Sequence, residues 1–150
     1  MSLEGYGDVM DKEAIAEYLE RTGVGTLAMG DETGGYGIPM AFGYDRDNKR
    51  AIFQLSFGED SLKEQFITDG ARMSLSVFDW EAYDDWRSVV ARGSFHRIPE
   101  EDNTVPAGIF ASYSKIASPE VFREELKHLD FDWFELRIDD LTGRHMSGEE

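Results

Sequence analysis

Apolar and polar positions alternate with a period of two through much of this chain. From Arg72 to Asp79, Met73, Leu75 and Val77 interleave with Ser74, Ser76 and Phe78, the repeat of a strand with one face on a core. Gly25 to Met29, Tyr36 to Tyr44 and Arg50 to Ser56 also read as strands, separated by DETGG and DRDNK, both rich in turn-forming residues. After the acidic turn EAYDD, Trp86 to Ile98 makes a long strand, and Trp133 to Ile138 makes a last one ending in the turn-like DDLTG. This order predicts an antiparallel meander. Pro39 cannot donate to a ladder, so it implies an edge, a bulge or the close approach of another group.

Helical spacing interrupts the alternation in three places. Between Asp11 and Arg21, Ile15, Tyr18 and Leu19 fall on one stripe, with Asp11 as N-cap and Gly23 as stop. Ser61 to Thr68 forms a second helix, and Ser118-Pro119 opens a third over Glu120 to Leu129, with Ser as N-cap and Pro at the first helical position. Pro99 to Thr104 reads as a loop. Six strands and three helices, with no repeat or linker composition, make one mainly β (α+β) domain over residues 1–150, its tail mobile from about residue 142.

Composition narrows the function classes. The 150 residues contain no cysteine, which removes disulfides, thiolate catalysis and cysteine-based zinc sites. A net charge of −16, from 15 basic against 31 acidic side chains, repels a phosphate backbone, so nucleic acid is an unexpected partner. Lysines are few (Lys12, Lys49, Lys63, Lys115, Lys127) and acids are scattered rather than gathered in a tail, which points to a salt-adapted, halophilic cytoplasm over an ordinary acidic protein. No apolar run has membrane-spanning length, and the polar, acidic start MSLEGYGDVMDKEAIAEYLE lacks an apolar signal core, so a cytoplasmic location is expected.

Candidate chemistry is concentrated between Ala51 and Phe95. Ser61 and Glu64 form a Ser-x-x-Glu capping box, leaving other N–H groups and the positive dipole end of the helix for an anion, with Lys63 in the same turn. A phosphate suits that turn. Gln54, Ser56 and Ser88 place short polar groups among apolar neighbours, suited to the edge of a flat heterocycle laid on a sheet. Together they suggest flavin mononucleotide. Arg87 and Arg92, five positions apart, point to opposite faces; Arg92 shares the parity of Ser88, while Arg87 reads as a solvated partner of Asp84 or Asp85. His96, His128 and His145 lack the spacing that gathers ligands on one metal, so no metal site is expected, although one axial His suffices for haem. Trp80, Trp86, Trp133, Tyr83 and Phe134 read as interface aromatics. No Ser-His-acid set stands out and the catalytic residues are unassigned.

In order and spacing, FQLS, Ser61-Leu62-Lys63 and Arg87-Ser88-Val89-Val90-Ala91-Arg92-Gly93 resemble the aromatic-led strand, the Ser-basic-Lys phosphate turn and the Arg-Gln-Val-x-x-x-Gly strand of the pyridoxamine 5′-phosphate oxidase-like superfamily. Leu62 stands where many members carry Arg, and Ser88 replaces a longer Gln. The resemblance implies a six-stranded antiparallel split β-barrel with peripheral helices. It also implies a homodimer holding FMN between subunits, with deazaflavin and haem as alternatives. Cofactor contacts would fall on Gln54, Leu55, Ser56, Ser61, Lys63, Ser88 and Arg92. The implied activity is a flavin-dependent oxidoreductase acting on a small molecule; a flavin- or haem-binding module without turnover is the competing reading. The ending DDLTGRHMSGEE does not resemble the segment that grips pyridoxine phosphate in the true oxidases, so no substrate is assigned.

Overall fold

The computed structural model describes residues 7–56, 67–113 and 131–147. Its elements are β1 (Asp8–Val9), α1 (Lys12–Thr22), β2 (Val24–Asp31), β3 (Gly34–Ala41), β4 (Gly43–Asp45), β5 (Arg50–Ser56), β6 (Ala71–Ala82), β7 (Asp85–Arg97), a 3-10 turn (Glu100–Asp102), α2 (Thr104–Tyr113) and β8 (Phe131–Met146). Asp11 caps α1 by accepting from the Ala14 N–H at 2.8 Å, and Gly23 ends it in the left-handed region at φ 63°, where a side chain would be strained. No helix among the described residues is long and apolar enough to cross a membrane.

The strands form one antiparallel sheet in the order β3-β2-β6-β7-β8-β5-β4, with β1 added on β8. Its two ends are consecutive in the chain, since Phe42 alone separates β3 from β4. Ala41 still pairs with Val24 and the Phe42 N–H donates to Gly23 O at 2.9 Å, whereas Gly43 pairs with Ile52 on the far side of the sheet. The chain thus crosses the mouth of a curled sheet whose end strands share no ladder, which is a split β-barrel. Gly43 makes the crossing fit, because a Cβ there would lie 2.8 Å from Phe110 Cα and from Ile109 O of α2.

Inside, Phe42, Phe53, Phe95 and Phe134 form a continuous aromatic row, with centroid separations of 6.3, 5.7 and 5.2 Å. Phe42, Phe53 and Phe95 are fully buried, and each contributes roughly 1.5–3 kcal/mol of burial. Leu27, Leu75, Val89 and Leu136 extend this core, and Ile15, Tyr18 and Leu19 of α1 close one end.

Two differences raise the strand count from six to eight. The expected strand Tyr36–Tyr44 divides at Phe42, and β1 pairs Asp8 with His145 and Val9 with Arg144. That second pairing also corrects the C-terminal expectation. The DDLTG segment is strand, and Thr142 to Met146 pair with β7 where a mobile tail was expected, because the long β7 ladder, joined by β1 at Arg144 and His145, outweighs the turn composition. The segment expected as a loop at Pro99–Thr104 contains the 3-10 turn and then opens α2, a helix not expected from the sequence. The helices expected at Ser61–Thr68 and Glu120–Leu129 lie outside the described residues, except that Ile67 and Thr68 are described and not helical.

Candidate functional site

The described candidate cofactor residues fall in two places. Ser61 and Lys63 lie outside the described residues. Gln54, Leu55 and Ser56 end β5, paired with Trp133, Asp132 and Phe131. Leu55 is 2% exposed and its side chain belongs to the core, so only its main chain could meet a ligand. Gln54 is half-buried on the opposite face, and its amide makes no hydrogen bond among the described residues.

Ser88 sits far from these. The Ile98 N–H donates to Trp133 O at 2.8 Å, so Gln54, Trp133 and Ile98 lie abreast, and Ser88 is ten residues back along β7. At about 3.3 Å per residue that is on the order of 30 Å. One chain therefore does not bring Ser88 and Gln54 to the same mononucleotide. Ser88 is half-buried on the outer face, between Phe78 of β6 and Arg144 of β8, and its hydroxyl makes no hydrogen bond among the described residues. Both polar groups keep unspent hydrogen-bonding capacity, which suits an incoming heterocycle edge.

The two arginines do face opposite ways. Arg92 is on the outer face, 3.6 Å from Asp140 and four residues from Ser88. Arg87 faces the other side, where its nearest carboxylate is Asp79 at 3.7 Å, in place of the expected Asp84 or Asp85, and its guanidinium lies 5.8 Å from the Tyr18 ring centroid. The aromatics divide as well: Trp80 and Tyr83 are 57% and 74% exposed, while Trp86 and Phe134 are buried.

On the outer face the row Val9, Arg144, Ser88, Phe78 runs across β1, β8, β7 and β6. The next row is Thr142, Val90, Ser76, Thr26. Val9 is 69% exposed and Phe78 70%. These two rows contain no carboxylate, in a chain carrying 31 acidic side chains.

Elsewhere the sheet has a saturated charge cluster. Arg50 donates from Nε to Asp45 at 2.8 Å and from Nη1 to Glu135 at 2.6 Å, and Glu135 also accepts from Arg137 Nε at 2.5 Å. Burial pushes both carboxyls up. Hydrogen bonds from Arg50 and Asn48 to Asp45, and from Arg137 and Arg50 to Glu135, outweigh it and hold both below the usual carboxylate range. With every charge answered, this is scaffold.

A Ser-His-acid group does form, which the sequence reading missed. His96 Nε2 lies 2.9 Å from Ser94 Oγ, and His96 Nδ1 lies 3.4 Å from Asp69 Oδ1. The Ser94-x-His96 spacing was legible, since residues two apart share a strand face, but Asp69 arrives through the fold. Ser94 is paired on both sides, with Arg72 and Arg137, so its own backbone is committed to ladders and does not supply an oxyanion donor. Asp69 is 77% exposed on its turn. The arrangement ties that turn to β7.

A sequence profile described as pyridoxamine 5′-phosphate oxidase matches residues 11–145. No protein with a curated description matches the chain. Among solved structures, the FAD-binding protein from Mycobacterium smegmatis superposes with a TM-score of 0.69 at 14% identity, covering 93% of this chain and 98% of that one. An FAD-binding protein from Mesorhizobium loti gives 0.68 at 17%, covering 95% and 99%. A flavocytochrome from Azotobacter vinelandii gives 0.66 at 14%, covering 92% and 68%. At these identities the likeness is one of fold.

Proposed function

The chain belongs to the pyridoxamine 5′-phosphate oxidase family, and from that premise we propose that it is an FMN-binding, homodimeric oxidoreductase acting on a small molecule. The observation that carries this reading is the separation of Gln54 from Ser88. Two half-sites at opposite ends of one sheet become one site when a second copy is related by a twofold axis. Ser88 of one subunit then faces the cofactor held by Gln54, Ser56, Ser61 and Lys63 of the other. The outer rows around Ser88 suit that role, because a face with exposed Val9 and Phe78, Arg144 as its one charge and no carboxylate can approach its own copy without the acid repulsion expected of this chain. The flavin-binding descriptions of the structural neighbours agree with the cofactor class.

When bound, flavin supplies the redox chemistry, exchanging a hydride equivalent with the substrate. The work of the protein is placement. Lys63 and the main-chain amides of its turn would hold the phosphate. The Ser88 hydroxyl would donate to the N1 and C2 carbonyl edge, where negative charge gathers on reduction. Apolar neighbours such as Phe78 would keep water from that edge.

Hybrid dimers test the arrangement. Lys63→Ala and Ser88→Ala subunits each lose FMN affinity alone, but a hybrid of the two contains one site with both residues intact. Recovery of wild-type affinity at half of the hybrid sites, read by quenching of flavin fluorescence, is the expected result. No recovery would put both residues on one chain or neither at the site. Stopped-flow mixing with NADH or NADPH, then with oxygen, quinones or nitroaromatics, separates an enzyme from a binding module: a reducible and reoxidisable flavin is expected.

A further inference from the structure

A cleft of about 710 Å³ lies on the side of the sheet opposite Ser88. It is walled by Tyr18 and Arg21 of α1, Arg87 of β7, His145 of β8 and Tyr113 of α2, with Met10 at its edge. Arg21 and Arg87 both lie over the Tyr18 ring, at 5.4 and 5.8 Å from its centroid. A guanidinium held on an aromatic face loses its rotational freedom and leaves its N–H edge outward, the geometry that meets a carboxylate with two parallel bonds.

These cations differ from most of the chain's other arginines. Arg46, Arg50, Arg72, Arg97 and Arg137 each donate to a carboxylate. Among the described residues no carboxylate lies within 4.0 Å of Arg21, and that of Asp79 stands 3.7 Å from Arg87, beyond hydrogen-bond distance. Glu17 and Glu20 also line the cleft, but Glu17 is exposed and Glu20 is taken by Arg46. Tyr18 is 1% exposed, and its hydroxyl has no partner among the described residues. Burial first, and the Asp79 charge second, push that phenol up to about 12 against the pull of Arg87 and Arg21, so it stays a neutral donor.

We propose that this cleft is a second small-molecule site, separate from the flavin, for a carboxylate carried on a flat apolar body: the anion is gripped by Arg21 and Arg87, and the body lies against Met10 and Tyr113. Acids elsewhere on this strongly negative chain repel such a ligand, so two underused guanidiniums on one ring mark where it can bind.

Benzoate is the probe, titrated into the full-length protein by calorimetry at constant ionic strength, with inorganic phosphate and benzylamine for comparison. Benzoate is expected to bind at least tenfold tighter than either. Arg87→Gln and Arg21→Gln should each weaken it about tenfold, the scale of a charged hydrogen bond lost. Arg97→Gln, at the other end of β7, should leave it unchanged. Arg21 is on the exposed helix surface, so its variant keeps the test open if Arg87→Gln does not fold. Absence of benzoate binding would overturn the site, as would equal binding of benzylamine or unchanged affinity in both arginine variants. Phosphate binding as tightly as benzoate would overturn the ligand class. None of these readouts depends on the flavin.

Discussion

Arg50 and Arg87 belong to the same sheet and meet opposite fates. Arg50 is enclosed between Asp45 and Glu135, both under 10% exposed, and donates to each of them. Arg87 rests on an aromatic ring, 3.7 Å from a carboxylate that it does not hydrogen-bond. A saturated buried cation holds strands together, whereas an under-saturated one at a cleft is available to something else. Burial alone does not separate the two, since both are partly covered. What separates them is the count of acceptors within reach.

Removing Arg50 should have the larger effect. Arg50→Ala leaves two carboxylates buried with less compensation, and a loss of about 3 kcal/mol or more is expected from denaturant unfolding. If the variant were as stable as the parent, the cluster would be ornamental and the contrast with Arg87 would collapse.

Acid comes next. Asp45 and Glu135 are held below their ordinary values of 3.8 and 4.5 in the folded state. Such groups contribute stability that is present above those values and lost as pH falls through the lower folded ones. The parent should therefore lose stability below about pH 4.5, more steeply below 3.8. In Arg50→Ala the gap from the parent should narrow on acidification, because protonation relieves the uncompensated carboxylates. A gap independent of pH would locate the loss in packing and not in charge.

The smallest effect is expected from Arg87→Gln. Its stacking on Tyr18 and its distant pairing with Asp79 are together worth roughly 0.5–1 kcal/mol. Unfolding should move by no more than that, with flavin affinity unaltered because Ser88 points to the other face. A loss comparable to that of Arg50→Ala would make Arg87 scaffold too.

The strands were readable because their parity is local. Met73, Leu75 and Val77 announce an inner face whatever they pack against, and all three are buried. Asp11 and Gly23 mark the ends of α1 for the same reason, since capping is settled within one helical turn. The helix Thr104–Tyr113 gave no such signal. Its buried residues are only Pro106 and Phe110, and it is held by packing of Phe110 on Trp133 and by the space at Gly43. Of the candidate site, the residue types were legible, but their distribution was not. That Ser88 lies on the order of 30 Å from Gln54 follows from the register of β7, β8 and β5, which no motif spacing encodes.

By itself, then, the chain's order of residues determined which segments become strands, which side of each faces inward, and which family signature they bear, because alternation, caps and short motifs act over a few residues. Only the tertiary structure decided that one expected strand breaks at Phe42 to cross the barrel mouth and that the acidic C-terminal turn is strand. It also decided which arginines find carboxylates and which find a ring. Those outcomes depend on partners dozens of residues away, whose positions are set when the sheet curls and every backbone donor must be matched.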